Sequence, residues 1–246
     1  MKRLLLSLLL TGLFLLALVQ GFGKGKSLPS NFIKEKPTAG IYGNSVTALV
    51  TDTSGSTYAN IPRISCASDK DGDGINDLYD IVEGARKDAD NMPVYKSEYY
   101  QGGYPPDSEG VCTDVIWRAF KNAGYNLKDM VDRDIKEHIK DYPGVDGKPD
   151  PNIDFRRVKN LYVFFKKYAA RITTEIKPYD ADNLGQWQGG DIVTFGSPEH
   201  IAIVSDKRRK DGIPYLIHNS GPYTAESDSL MTWMPGITGH FRFMGK

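Results

Sequence analysis

The order in which two periodicities appear constrains this chain most. Apolar residues recur first at helical spacing, at Leu78, Ile81, Val82 and Ala85 and then at Val115, Ile116, Ala119, Phe120 and Ala123, before Gly124 stops the pattern. A third amphipathic stretch runs through Val158, Leu161, Phe164, Phe165 and Tyr168, after the turn-rich residues 143–151. Only afterwards come three short strand-like runs, residues 192–195, 200–205 and 215–219, separated by a Gly-Ser-Pro turn and by the charged loop 207–212. Parallel strands need long crossovers between them, and these runs have only short turns. The expected class is α+β, with N-terminal helices packed on a C-terminal antiparallel sheet.

The N-terminus predicts export. Lys2 and Arg3 precede an apolar run over residues 4–19, too short for a comfortable membrane span, and Val19 and Gly21 are small residues at signal-peptidase spacing. Residues 1–21 read as a signal peptide cleaved after Gly21, with an uncleaved anchor as the alternative. The expected location is secreted or extracytoplasmic. Of 31 basic and 31 acidic residues, cleavage removes only Lys2 and Arg3 and leaves the mature chain slightly acidic, which argues against nucleic acid as a partner. Residues 22–68 are rich in Gly, Ser, Thr, Pro and Lys around one β-leaning run, 46–50, and read as an arm or linker.

Residues 69–80, DKDGDGINDLYD, carry a calcium-loop pattern: Asp69, Asp71 and Asp73 at positions 1, 3 and 5, Gly74 at the sharp turn, the Ile75 carbonyl at 7, Asp77 at 9 and Asp80 at 12. Alternating carboxylates converge on a hard cation, and a helix beginning near Leu78 would hold the last one in place. The loop resembles the Asp-rich loops of dockerins and thrombospondin type 3 repeats. Asp rather than a bidentate Glu at position 12 implies weaker binding, and an acidic turn without an ion is the alternative. The expected cofactor is one structural Ca2+, with no catalytic cofactor.

The chain has two cysteines and four histidines, so the candidates for nucleophilic chemistry are few. Export permits a Cys66–Cys112 disulfide. The two settings differ, however: Cys66 lies in a polar loop, whereas Cys112 opens a helix after a Gly- and Pro-rich segment. Unpaired N–H groups and the helix dipole favour a thiolate at that position. His200 starts one predicted strand and His218 nears the end of the next, and pairing His200 with His218 and Ala202 with Leu216 puts all four on one hairpin face. His200 is then the base, and His218 orients it. Asn219 points the other way in this register and is the second candidate for that role. Asp114 reads as a helix-terminal acid, and Asp191 and Asp206 as turn residues. His138 and His240 read as surface or structural residues, and Trp117, Trp187 and Trp233 as core or cleft wall. A zinc site from Cys112, His200 and His218 lacks the short ligand spacing such sites show.

The segments GVCTDV, PDPNIDFRRVKNLYVFF, GDIVTF, HIAIVSD, IHNSG and ITGHFR, in that order, resemble the bacterial family called domain of unknown function 1287, over about residues 78–246. That family is similar in turn to the NlpC-type and amidase-type cell-wall peptidases, which share a papain-like fold. In those relatives a Cys starts a helix, a His starts the second strand of the sheet, and a third polar residue, often His, lies on the next strand. Cys112, His200 and His218 match these places. Where NlpC-type enzymes commonly show Asp-Cys-Ser-Gly, this chain has Val111, Cys112, Thr113 and Asp114, so specificity does not simply carry over. A Tyr before a Gly-Gly pair often borders the site in that group. Tyr100 is the nearest counterpart here, with Tyr99 close behind. The resemblance implies a papain-like hydrolase domain over residues 81–246 that cleaves amide bonds of peptidoglycan or a related envelope substrate. A calcium-stabilised surface binding module on the same fold is the rival expectation.

Overall fold

The stripe of Leu78, Ile81, Val82 and Ala85 is fully buried, as helical spacing requires. It belongs to α1 (Asp77–Asn91), whose Gly84 lies so close to Ala119 that the two helix backbones nearly touch. The partner is α2 (Cys112–Asn122), with Val115, Ile116, Ala119 and Phe120 at 0 % exposure. Between them β3 (Val94–Tyr95) and β4 (Glu109–Gly110) form a short parallel ladder that ties down the intervening loop. The computed structural model describes residues 61–245, together with the backbone of a two-rung ladder of β1 (Val50–Thr51) and β2 (Thr57–Tyr58). The expected signal peptide and most of the expected arm lie outside the described residues.

After α2 the chain forms α3 (Leu127–Glu137), capped by Asn126, which accepts from Asp129 N–H at 3.2 Å, and then α4 (Val158–Tyr168). The spacing of apolar residues anticipates α4; α3, in which seven of eleven residues are charged, is an addition that packing reveals. β5 (Ala170–Arg171) and the one-turn α5 (Ala181–Leu184) lead into the sheet. Its strands are β6 (Ile192–Phe195), β7 (His200–Arg208), β8 (Pro214–Asn219), β9 (Thr224–Ser227) and, after α6 (Leu230–Trp233), β10 (Ile237–Arg242). The order across the sheet is β5-β10-β6-β7-β8-β9, and every neighbouring pair is antiparallel.

Alternation along the central strands feeds two cores. Ile192, Ile201, Ile203, Ile217 and Phe241 face the helices, where they meet Ile81, Val115, Ile116, Phe120 and Phe165. Val193, Phe195, Ala202, Val204 and Leu216 face the other way, against Leu184, Trp187, Ile213 and Leu230. The α+β class expected from the sequence is what the structure shows, with a covering layer on the second face as well.

Part of the expected arm is in fact seated on this second face. Ile61 packs on the second core, Ile64 N–H donates to Gln188 Oε1 at 3.2 Å, Gln188 returns a bond to the Pro62 carbonyl at 3.1 Å, and Arg63 pairs with Asp206 at 2.8 Å. Residues 61–64 are therefore attached chain, because Gln188 binds their backbone and Asp206 binds the Arg63 guanidinium. Asp191 and His240 also hold the sheet. Asp191, at 0 % exposure, accepts from Arg242 Nε at 2.7 Å and lies 2.9 Å from His240 Nε2, whose ring stacks on Trp187. Asp191 flanks the turn at 189–190, as expected, and is a buried anchor as well.

Candidate active site

Cys112 is the first residue of α2, and an interlocked set of side chains holds that end of the helix. Asp114 takes the Val111 N–H at 2.7 Å and the Trp117 indole N–H at 2.8 Å, and it receives Arg156 Nε and Nη2 at 2.7 and 2.9 Å. This is the helix-terminal role read from the sequence, made stronger by a bidentate guanidinium. Thr113 Oγ1 donates to the Arg156 carbonyl at 3.0 Å, so the segment after the turn-rich region is bolted to the same helix turn.

Cys112 is 8 % exposed and its thiol is free, as is that of the half-buried Cys66, which sits among Ser68 and Asn76. Burial raises the Cys112 thiol to about 11, against a lowering pull from the backbone N–H groups of Ile201, Thr113 and Cys112 itself. The expected low-pKa thiolate is thus reversed: removing the sulfur from water outweighs the helix terminus. The Ile201 contact sets the sulfur against the peptide that follows His200.

His200 Nε2 and His218 Nδ1 are 2.7 Å apart, and His218 Nε2 lies 3.0 Å from Ser229 Oγ. The two rings also meet edge to face, and Trp233 stacks on His200 with centroids 4.5 Å apart. Burial lowers His200 to about 3, with His218 adding to the effect, and lowers His218 to about 4. Both rings are neutral at pH 7. Two tautomer chains satisfy these contacts; in the one a base requires, His200 Nε2–H donates to His218 Nδ1 and His218 Nε2–H donates to Ser229. It leaves a lone pair on His200 Nδ1. Among the described residues no hydrogen bond joins that ring to the Cys112 sulfur.

The hairpin register differs from the expected one by two residues. Ile203 pairs with Ile217 and Val204 with Leu216, which carries His218 opposite Ala202 rather than His200. An even shift keeps both histidines on one face, so they meet diagonally. Asn219 takes no part in this pair: its Nδ2 donates to the Pro93 carbonyl at 3.0 Å and the Gly110 carbonyl at 3.3 Å, fastening the loop before α2. Tyr100 does not reach the histidines either. Its hydroxyl donates to Glu109 Oε1 at 2.7 Å, its ring lies 5.0 Å from the Arg156 guanidinium, and burial with Glu109 raises it to about 12. Tyr99 bonds to Asp150 and Asn152. Ser229 and Trp233 complete the surroundings of the histidine pair. Sequence reading gave Trp233 only a wall role and left Ser229 unmarked, since neither carries a motif.

Two open clefts, of about 490 and 600 Å³, run along Trp117 and Lys121 on the flank of α2, and neither is lined by Cys112, His200 or His218. In the loop before α1, Asp69, Asp71 and Asp73 cluster, while Asp77 stands apart from them. As the first residue of α1 it turns inward, accepts from Lys70 N–H at 2.8 Å and binds the Tyr125 hydroxyl, so it is spent as a clamp rather than offered as a ligand. Asp80 is 5 % exposed and is raised to about 6 by burial first and then by the surrounding aspartates.

Comparison with known proteins agrees with the motifs. The chain is 35 % identical over 175 residues to the uncharacterized protein YijF of Escherichia coli (strain K12), covering 68 % of this chain and 82 % of that protein. The profile of the domain of unknown function 1287 matches residues 82–243, a span that contains Cys112, His200 and His218, and the chain belongs to that family.

Proposed function

We propose that the protein is an exported, NlpC-like cysteine hydrolase of papain-like architecture that opens amide bonds in the bacterial cell envelope, with peptidoglycan peptides as the substrate class. The observation that carries this reading is the hydrogen-bonded His200–His218 pair at 2.7 Å, with the Cys112 sulfur against the peptide that follows His200. In the reaction His200 Nδ1 takes the thiol proton and the sulfur attacks the amide carbonyl carbon. The oxyanion is held by the Cys112 N–H. His200 then gives the proton to the leaving amine as the C–N bond breaks. Water, deprotonated by His200, hydrolyses the thioester, releasing a carboxylate and restoring the thiol. His218 keeps Nδ1 of His200 aimed and unprotonated. The contact between the ring and the sulfur closes when substrate fills the site, as catalytic hydrogen bonds commonly tighten on binding.

The test is digestion of purified peptidoglycan by the full-length protein, read as newly released amino groups. Wild type is expected to release them, and Cys112→Ala and His200→Ala to lose at least about a hundredfold in rate. Activity retained by Cys112→Ala would overturn the reading. The near-complete burial of Cys112 favours a second one, a binding module without turnover. Co-sedimentation with peptidoglycan that leaves it uncut would select it.

A further inference from the structure

The loop before α1 is not used by the proposed chemistry, yet it is built around unbalanced charge. Asp69, Asp71 and Asp73 are exposed, with one carboxylate oxygen of each within 4.8 Å of the others. Asp69 accepts N–H groups from Gly72 and Gly74 at 2.8 and 2.9 Å, and Asp73 accepts from Ile75 at 2.8 Å. These bonds shape the loop without neutralising it. Among the described residues no lysine or arginine forms an ion pair with Asp69, Asp71, Asp73, Asp77 or Asp80.

Asp80 supplies an independent observation. Its side chain is 5 % exposed in the first turn of α1, and its buried Oδ2 has no hydrogen-bond partner. Of the charges acting on Asp80, those of Asp73 and Asp71 are the largest, which sets the exposed cluster beside this helix turn. A buried carboxylate without a donor, facing other carboxylates, is costly until a cation joins them.

We propose that residues 69–80 bind one calcium ion through Asp69, Asp71, Asp73, the Ile75 carbonyl and Asp80, and that the ion fastens α1 to the C-terminal end of α2. The all-oxygen donor set on a glycine-bearing loop suits calcium better than magnesium, which demands a small, rigid octahedron. Gly74, at φ +90°, makes the turn that brings the later donors round. Asp77 is excluded as a ligand by its bonds to Lys70 and Tyr125. The link to α2 is direct: Asn122 Nδ2 donates to the Asp80 carbonyl at 2.8 Å, and Gly124 packs so tightly on Asp71 that an added Cβ would lie 3.0 Å from the Asp71 Cβ. None of this depends on Cys112 being reactive.

The experiment is calorimetric titration of the full-length protein with CaCl2 and with MgCl2, alongside melting curves in CaCl2 and in EDTA. Calcium is expected to bind with a Kd on the order of 0.1–1 mM and to raise the melting temperature. Asp73→Asn, an exposed change, should weaken binding about tenfold or more. Asp80→Asn should abolish the calcium response yet melt in EDTA no lower than wild type, because it removes an uncompensated charge. No binding heat and no thermal shift up to about 10 mM calcium would overturn the site, as would Asp73→Asn binding like wild type. An equal response to magnesium would overturn the choice of calcium.

Discussion

His200 and His218 share a hydrogen bond in a buried setting that favours neutral rings, and that has a measurable cost in acid. Their folded pKa values, about 3 and about 4, lie below the ordinary histidine value near 6.5. Between these limits the unfolded chain binds more protons than the folded one, so stability is complete above about pH 7 and falls as the pH drops. The expected loss between pH 7 and pH 5 is about 2 kcal/mol per imidazole. Urea unfolding of wild type and of His200→Gln/His218→Gln at both pH values measures it: the double variant should show a much smaller loss, and equal losses would contradict the assignment. The residues themselves were legible, since Cys112 opens a patterned helix and the histidines sit on strand ends. Their exact partners were not. The irregular pairing between Val204 and Arg208 resets the hairpin register, and no residue type announces it. Nor could Asp77 be separated from its neighbours in the acidic loop, because only the inward turn at the start of α1 gives it to Tyr125.

At the scale of elements, α1 and α2 depend on close approach. A Cβ on Gly84 would come within 2.5 Å of the Asn122 Cβ and 2.9 Å of the Ala119 Cα and carbonyl oxygen. In an open helix Gly→Ala gains about 1 kcal/mol. Here the gain is outweighed by overpacking, and Gly84→Ala is expected to lower stability by about 1–3 kcal/mol in urea unfolding. A neutral or stabilising result would show that the helices are free to separate. Strong periodicity made α1, α2, α4 and the hairpin strands readable. β5 and β9 are too short to carry a pattern, and β10 interrupts its own with Gly239, His240 and Arg242. These strands are set by pairing and by the Asp191 anchor, which are tertiary facts.

Across the whole molecule, α2 is gripped at both ends. The Asp114–Arg156 pair fixes the turn that bears Cys112, while Asn122 and Gly124 meet the acidic loop at the other end. The sheet backs the helix with Ile201, Ile203 and Ile217 and brings the histidine pair to its N-terminal end. The proposed chemistry requires this assembly to make Cys112 reactive although burial holds its thiol protonated. Alkylation of the native full-length protein by iodoacetamide at pH 7, with each cysteine followed by mass spectrometry, tests that requirement directly. Cys112 should be modified in the native state, and His200→Ala should slow its modification at least about tenfold while leaving Cys66 unchanged. Cys112 that reacts only after denaturation, or equally fast without His200, would contradict its role as the nucleophile.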